Sequence, residues 1–443
     1  MKKLTVITAI GILMSVAPHL ANAQSYTAID LGSFGGDLSI ATGVNDKGQV
    51  SGIAFMPESG VPHAFLSGAV GGGLKDIGTL TGKESEALGV NKFGQVVGLY
   101  WSSDAAEDYK IFLTANNGYT PQDHGTMGPW AQGSGVNDAG QMCGNFDFGP
   151  GDLAHAFISA PGGGALRDLG TLGGNESEAS SINALGQVTG DSNPVGVTDP
   201  TLYHTHAFLS GPNGGPLKDL GTMGMDFSFG LHVNINGQVV GYAGTGYTER
   251  PFVSDADGGT LHDLGTFGGY TNRAFGINDA GDIVGLSNDI NTQPHPWLYR
   301  NGVMTDLNTL IDPVPGLLLV SATAISNTGF ITAAGSNSIL GQTHAFLLAP
   351  YAPGLAAPTG LTATGHDTTV ELHWTPVSGA ASYIIYRSTS PDTISNRPLD
   401  AGIVGSYIDT GRKNGITYYY KIAAENRSGI SQQSAVASAT PAP

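Results

Sequence analysis

From Tyr26 to Ala349, short apolar runs alternate with turns rich in glycine and asparagine, and their order repeats. One such run precedes Gly-Val-Asn-Asp-Lys-Gly-Gln at 43–49 and another Gly-Val-Asn-Lys-Phe-Gly-Gln at 89–95, with relatives around Asn137, Asn183, Asn234, Asn278 and Asn327. The run predicts a strand, and Asn-Asp-x-Gly predicts a tight turn whose glycine accepts positive φ. Gln-Val-Val-Gly then opens a second strand. His-Ala-Phe at 63, 155, 206 and 344 marks a third, with Lys110-Ile-Phe, Arg250-Pro-Phe and His295-Pro-Trp in the other repeats. A Gly-rich turn leads to a fourth strand ending in Asp-Leu-Gly or a close relative. Its aspartates are Asp30, Asp76, Asp123, Asp168, Asp219, Asp263 and Asp306, 43 to 51 residues apart. Four strands in about 45 residues is the size of one propeller blade.

The two ends of the repeat region are offset. It opens with a lone fourth-strand segment, Tyr26-Thr-Ala-Ile-Asp-Leu-Gly, and its last repeat stops after a third strand, His344-Ala-Phe-Leu-Leu. Each end supplies what the other lacks, and pairing them removes an open edge. The expected fold is therefore all-β, a seven-bladed β-propeller closed by pairing of the N- and C-terminal strands. An open solenoid is the alternative, but it has no need of this offset.

These landmarks resemble the HAF-repeat family of extracellular bacterial proteins, over roughly Tyr26 to Ala349. Repeats two and five lack the histidine, and repeat seven carries Ala324-Ile-Ser-Asn-Thr-Gly in place of the Asn-Asp turn. The resemblance implies an architecture and a location and brings no general activity with it.

Residues 1–23 read as a signal peptide: Lys2 and Lys3, an apolar stretch from Leu4 to Val16, and Ala21-Asn22-Ala23 as the cleavage site. Residues 24–349 form the repeat region, 350–357 a Pro/Ala linker and 358–443 a second domain. No other stretch is long and apolar enough for a membrane span, so the expected location is secreted or periplasmic.

Glycine is abundant at 67 residues, charged residues make up 12% of the chain, and net charge is −18. An acidic surface repels nucleic acid, whose phosphates need clusters of Lys and Arg. It suits neutral or cationic partners. Cys143, the one cysteine, excludes an intramolecular disulfide and sits in a slot held by valine elsewhere, so it reads as a small core residue.

The recurring His and Asp invite a catalytic assignment, but their spacing argues for structure. His63 and Asp76, His155 and Asp168, and His206 and Asp219 are each 13 residues apart, and His344 meets Asp30 across the closure. Neighbouring third and fourth strands bring a nitrogen donor to a carboxylate in every repeat. No G-x-S-x-G nucleophile accompanies them, and the Asn-Asp-x-Gly turns lack the spacing of a calcium loop. No catalytic residue, metal or cofactor is expected.

Binding is expected on the rim formed by the loops between second and third strands and between blades, which vary most. The candidates are Tyr100, Trp101, Asp104, Trp130, Phe146, Asp147, Asp199, Tyr203, Tyr242 and Tyr247. Aromatic faces suit sugar rings, and acids suit hydroxyls or amines. The expected role is an extracellular binding protein, monomeric, with a glycan as leading ligand. The alternatives are a glycoside hydrolase or lyase, for which two rim acids must stand about 5–10 Å apart, and an envelope adhesin or scaffold.

After the linker the repeat vanishes. Leu372-His-Trp374, Tyr383-Ile-Ile-Tyr386 and Thr417 to Asn426 resemble a fibronectin type III domain. Tyr418, Tyr420, Ile422 and Ala424 alternate as a half-buried strand requires. The resemblance implies a β-sandwich with Trp374 in its core, Tyr418 as the corner tyrosine bonded to backbone, and a spacer role. The Pro/Ala linker is expected to leave the two units nearly independent.

Overall fold

The structure, a computed structural model, describes residues 26–57, 59–80, 82–101, 109–128, 130–147, 153–196, 204–338, 341–352, 354–391, 398–402, 405–426 and 429–443. The expected leader, and the rim candidates Asp104, Asp199 and Tyr203, lie outside the described residues. The protein is all-β, and no helix among the described residues is long and apolar enough to cross a membrane.

Among the described residues the repeat region makes seven four-stranded antiparallel sheets. Six are meanders of consecutive strands: sheet one over 39–76, two over 85–125, three over 131–168, four over 173–219, five over 227–263 and six over 268–306. Sheet seven combines 317–350 with the strand Tyr26–Gly32, which pairs antiparallel with Gln342–Pro350. Asp30 stands opposite Phe346, the register in which Asp76 faces Phe65 and Asp168 faces Phe157.

The first strands of successive sheets touch one another, and that of sheet seven touches that of sheet one. Apolar clusters lie between successive sheets. Val97 and Ile111 of sheet two meet Met142 and Phe157 of sheet three, and Leu347 of sheet seven meets Val50 and Phe65 of sheet one. Burying each such aromatic contributes about 2–3 kcal/mol before conformational entropy is charged against it. The aromatic of the third strand needs a glycine opposite it. At Gly52, opposite Phe65, a Cβ would lie 2.7 Å from the phenyl ring. Cys143 is fully buried, and burial pushes its thiol up to about 12, which leaves it inert at neutral pH.

The C-terminal unit has one sheet of Thr359–His366, Thr369–Thr375 and Ser406–Thr410. A second joins Ser382–Ser388, Pro398–Gly402, Tyr418–Asn426 and Gly429–Ile430. Trp374 is buried with its ring 5.1 Å from that of Tyr383, and the Lys413 backbone N–H donates to Tyr418 Oη at 3.1 Å.

The segment after Pro350 packs against both units. Tyr351 bridges to Ile430, and the Ala352 N–H donates to the Ile430 carbonyl at 2.7 Å. Tyr351 Oη also bonds Asp312 and Thr27. One apolar cluster includes Ile29 and Ala349 together with Ile384, Tyr386 and Ile430. Alanine and tyrosine bury well, so a Pro/Ala stretch beside an apolar face docks rather than swings.

Candidate functional site

The repeated polar residues form bonds within and between sheets. In each of the six Asn turns, the asparagine is used completely. Asn183 Oδ1 accepts from the N–H groups of Leu185 and Gln187. Its Nδ2 donates to Gln187 Oε1 at 2.8 Å and to the Asn234 carbonyl of the next sheet at 2.9 Å. The same donation runs from Asn45 to Asn91, Asn91 to Asn137, Asn137 to Asn183, Asn234 to Asn278 and Asn278 to Ser326. Ser326, rather than Asn327, takes the asparagine slot in sheet seven. Asn327 takes the next position, and its N–H donates to Asp46 Oδ1 of sheet one at 2.9 Å. These turns line a cavity of about 230 Å3, together with His232, whose Nδ1 has no partner and which burial pushes down to about 4.

A second device ties the other end. Ser85 Oγ donates to the Gly78 carbonyl, just past the last strand of sheet one, and accepts from the Ala64 N–H within that sheet. Ser39, Ser177 and Ser228 repeat this with their preceding sheets. Two of these serines stand in the same tetrad, Glu-Ser-Glu-Ala at 84–87 and 176–179.

The third is the His–Asp pair. Nδ1 lies 3.0 Å from Asp76 in His63, and 2.9 Å from Asp168, Asp219 and Asp30 in His155, His206 and His344. The other carboxylate oxygen has its own duty: Asp168 Oδ1 accepts from the Gly170 N–H at 2.7 Å, and Asp76, Asp219 and Asp30 do likewise. Each aspartate thus closes the turn after its strand and holds a histidine on the next strand.

The rim candidates do not form one surface. Tyr100 and Phe146 are corrections: at 2% and 1% exposure they belong to the cores between sheets. Both stand at the second-last position of a second strand, where the side chain still faces the neighbouring sheet. Trp101 is half-buried with its ring 5.3 Å from Tyr109. Trp130 is half-buried, and its carbonyl accepts from the N–H of half-buried Asp147. Tyr242 is half-buried, stacked on Phe229 at 5.0 Å with the Arg273 guanidinium 4.5 Å from its ring. Tyr247 is 90% exposed.

What the structure assembles at the loop end is a group over sheets four to six. At one register position the seven first strands carry Ile40, Glu86, Gln132, Glu178, Phe229, Arg273 and Ser321. Their partners on the second strands are Ile53, Leu99, Asn145, Asp191, Tyr242, Leu286 and Ala334. The neighbouring positions repeat, whereas these diverge. Glu178 faces Asp191 directly across the ladder, which sets their Cβ atoms about 5 Å apart. Thr205 donates to Asp191 at 2.9 Å, and Asn193 to Glu176 at 3.1 Å.

Part of Asp191 reaches the surface, but its carboxyl is enclosed. Burial, and then the charge of Glu178, raise it to about 8 against the opposing Thr205 bond. Burial, and then the charge of Glu176, also raise Glu178, although the residue as a whole is exposed. Arg273 of sheet six holds Glu249 of sheet five through two bonds of 2.9 and 2.6 Å. Val195, Tyr247 and Ile290 stand exposed on loops, and Tyr270 stands exposed on the first strand of sheet six. Sequence reading missed Asp191 and Phe229 because only register shows that they share one tier with Glu178 and Tyr242. Among the described residues no three acidic, histidine or cysteine side chains are grouped to hold a metal.

The molecule is thus an all-β protein of four-stranded sheets with a second small β unit. No family model matches the chain. A Kelch domain-containing protein of Saccharolobus solfataricus is 39% identical over 77 residues, 17% of this chain and 10% of that protein. The chain therefore spans about a tenth of the length of that curated relative. Among solved structures, a Fn3-like protein from Clostridium thermocellum is 32% identical, covering 21% of this chain and 96% of that one with a TM-score of 0.19. TolB from Acinetobacter baumannii is 11% identical over 60% of this chain and 62% of that one, with a TM-score of 0.41.

Proposed function

We propose that the chain is an exported glycan-binding protein of the HAF-repeat kind, a closed seven-bladed propeller carrying a fibronectin type III domain. Support for closure comes from the antiparallel pairing of Tyr26–Gly32 with Gln342–Pro350 and from the bonds of Asn327 and Thr328 to Asp46. The observation that carries the binding role is the divergence at a single register position. Where six turns repeat one asparagine clip, the opposite end of sheets four to six holds Glu178, Asp191, Phe229, Tyr242 and Arg273. Divergence at a fixed place on a rigid scaffold is what ligand recognition requires. A glycan array on the chain without residues 1–23 tests it. Retention of glycans that is lost on Tyr247→Ala supports it, and an array without signal contradicts it.

A second function, glycoside hydrolysis, draws on one specific observation: Glu178 and Asp191 stand opposite each other across one ladder, and burial raises Asp191 to about 8 so that it is protonated at neutral pH. Release of reducing ends from polysaccharide, abolished by Asp191→Asn, is the outcome that favours it over binding alone.

A further inference from the structure

We propose that the C-terminal unit is a clasp for the ring: it holds the closing strand Tyr26–Gly32 in place, so that the seam stays shut while the two units are docked. The proposal rests on the closure proposed above and adds what secures it. In the other six sheets a short turn joins the third strand to the fourth. In sheet seven no turn does so, since His344 and the Asp30 it bonds are 314 residues apart. The closing strand therefore lacks the local connection that keeps a fourth strand beside its partner, and needs another fastener.

The outer face of the C-terminal unit supplies one. In Ser382–Ser388, Tyr383 and Ile385 face that unit's own core with Trp374. Ile384 and Tyr386 point the other way, where a free-standing sandwich turns polar side chains to water, yet they are 3% and 0% exposed. With Ala423 of the adjoining strand they share one apolar cluster with Ile29 of the closing strand and with Leu347 and Ala349 of the strand it pairs with. Tyr351 adds a polar fastening. Thr27 of the closing strand donates to Tyr351 Oη at 3.0 Å, and that hydroxyl donates to Asp312. The Asp312 N–H donates to the Tyr26 carbonyl at 3.1 Å, and the Tyr26 N–H to the Leu310 carbonyl at 2.8 Å. Tyr351 is itself bridged to Ile430 of the C-terminal unit. At Gly429 the contact is backbone on backbone: φ is +131°, and a Cβ would lie 2.0 Å from the carbonyl oxygen of Pro350, the residue opposite Tyr26.

Hydrogen–deuterium exchange on the full chain without residues 1–23 tests the clasp. In the parent, residues 26–32 and 342–350 should exchange as slowly as the paired strands of sheets three to five. Ile384→Ser removes an apolar side chain from the docked face and leaves the core-facing side of its strand untouched. It should speed exchange of 26–32 and 342–350 at least about tenfold, one buried apolar side chain's worth, while sheets three to five and the strand Tyr418–Asn426 keep their rates. Tyr351→Phe keeps the ring and loses the hydroxyl, and should speed 26–32 by about threefold. Coupling is reciprocal, so Ile29→Ala in the closing strand should speed exchange of the Ala352 amide. Unchanged exchange of 26–32 in Ile384→Ser and Tyr351→Phe, with a slow parent, overturns the clasp and leaves the closure standing. Fast exchange of 26–32 in the parent overturns both. Acceleration spread evenly over all seven sheets, or confined to the C-terminal unit, overturns the clasp.

Discussion

The two ends of the seven sheets are built on opposite principles. At the Asn-turn end, six asparagines make the same four bonds, and each donates across a sheet boundary. At the loop end, the register position holding Glu178 and Phe229 carries a different residue in nearly every sheet. The first end is a seam repeated for stability. The second is free to vary because the serine and His–Asp bonds beside it already hold the strands. A repeat protein can thus keep one end for structure and leave the other to recognition.

The comparison breaks most severely if the seam can be opened without cost. Deleting Tyr26–Gly32 removes a strand from sheet seven, the Asp30–His344 pair and the burial of Ile29 and Leu31. The expected loss is several kcal/mol, enough to unfold or aggregate the repeat region in a thermal melt. A deletion that melts with the parent means that the ring is not closed this way. Next in size, Asn183→Ala at the Asn-turn end should cost about 2–3 kcal/mol by urea denaturation, since it orphans buried groups on two sheets. Asp168→Ala should cost about 1 kcal/mol, because the pair it breaks with His155 is partly solvated.

At the loop end stability should respond to pH rather than to truncation. The folded pKa of Asp191 is raised above its ordinary value, so the native state holds a proton that the unfolded chain has lost between about 4 and 8. Stability contributed by that difference is full at low pH and declines as pH rises through this window. Asp191→Asn should flatten the decline in melts taken from pH 4 to 8, and an unchanged slope would mean that the carboxyl is solvated. Smallest of all, Tyr247→Ala should leave the stability within about 0.5 kcal/mol of the parent while weakening glycan retention.

The repeat frame was legible in the sequence because strand, turn and aromatic recur at fixed spacing, and His63, Asp76 and their counterparts could be paired by counting. The seam was partly legible. Asn-Asp-x-Gly announced a turn, but the side-chain amide reaching the next sheet depends on how sheets lie side by side, which one repeat does not encode. Ser326 hid beside Asn327 for the same reason. The rim was least legible. Tyr100 and Phe146 look like loop aromatics in a linear string and lie in the core because the strand runs on past the glycine that precedes them. Asp191 sits in an unremarkable Thr-Gly-Asp-Ser and gains its meaning only from Glu178 across the ladder.

The central claim is that recognition belongs to the loop end of sheets four to six and not to the Asn-turn cavity. Hydrogen–deuterium exchange on the full chain, with and without a saturating glycan retained on the array, separates the two ends directly. The account predicts added protection confined to residues 176–193, 227–249 and 268–273. Protection over the Asn turns at 45–48, 137–140 and 234–237, or none at all, would contradict it.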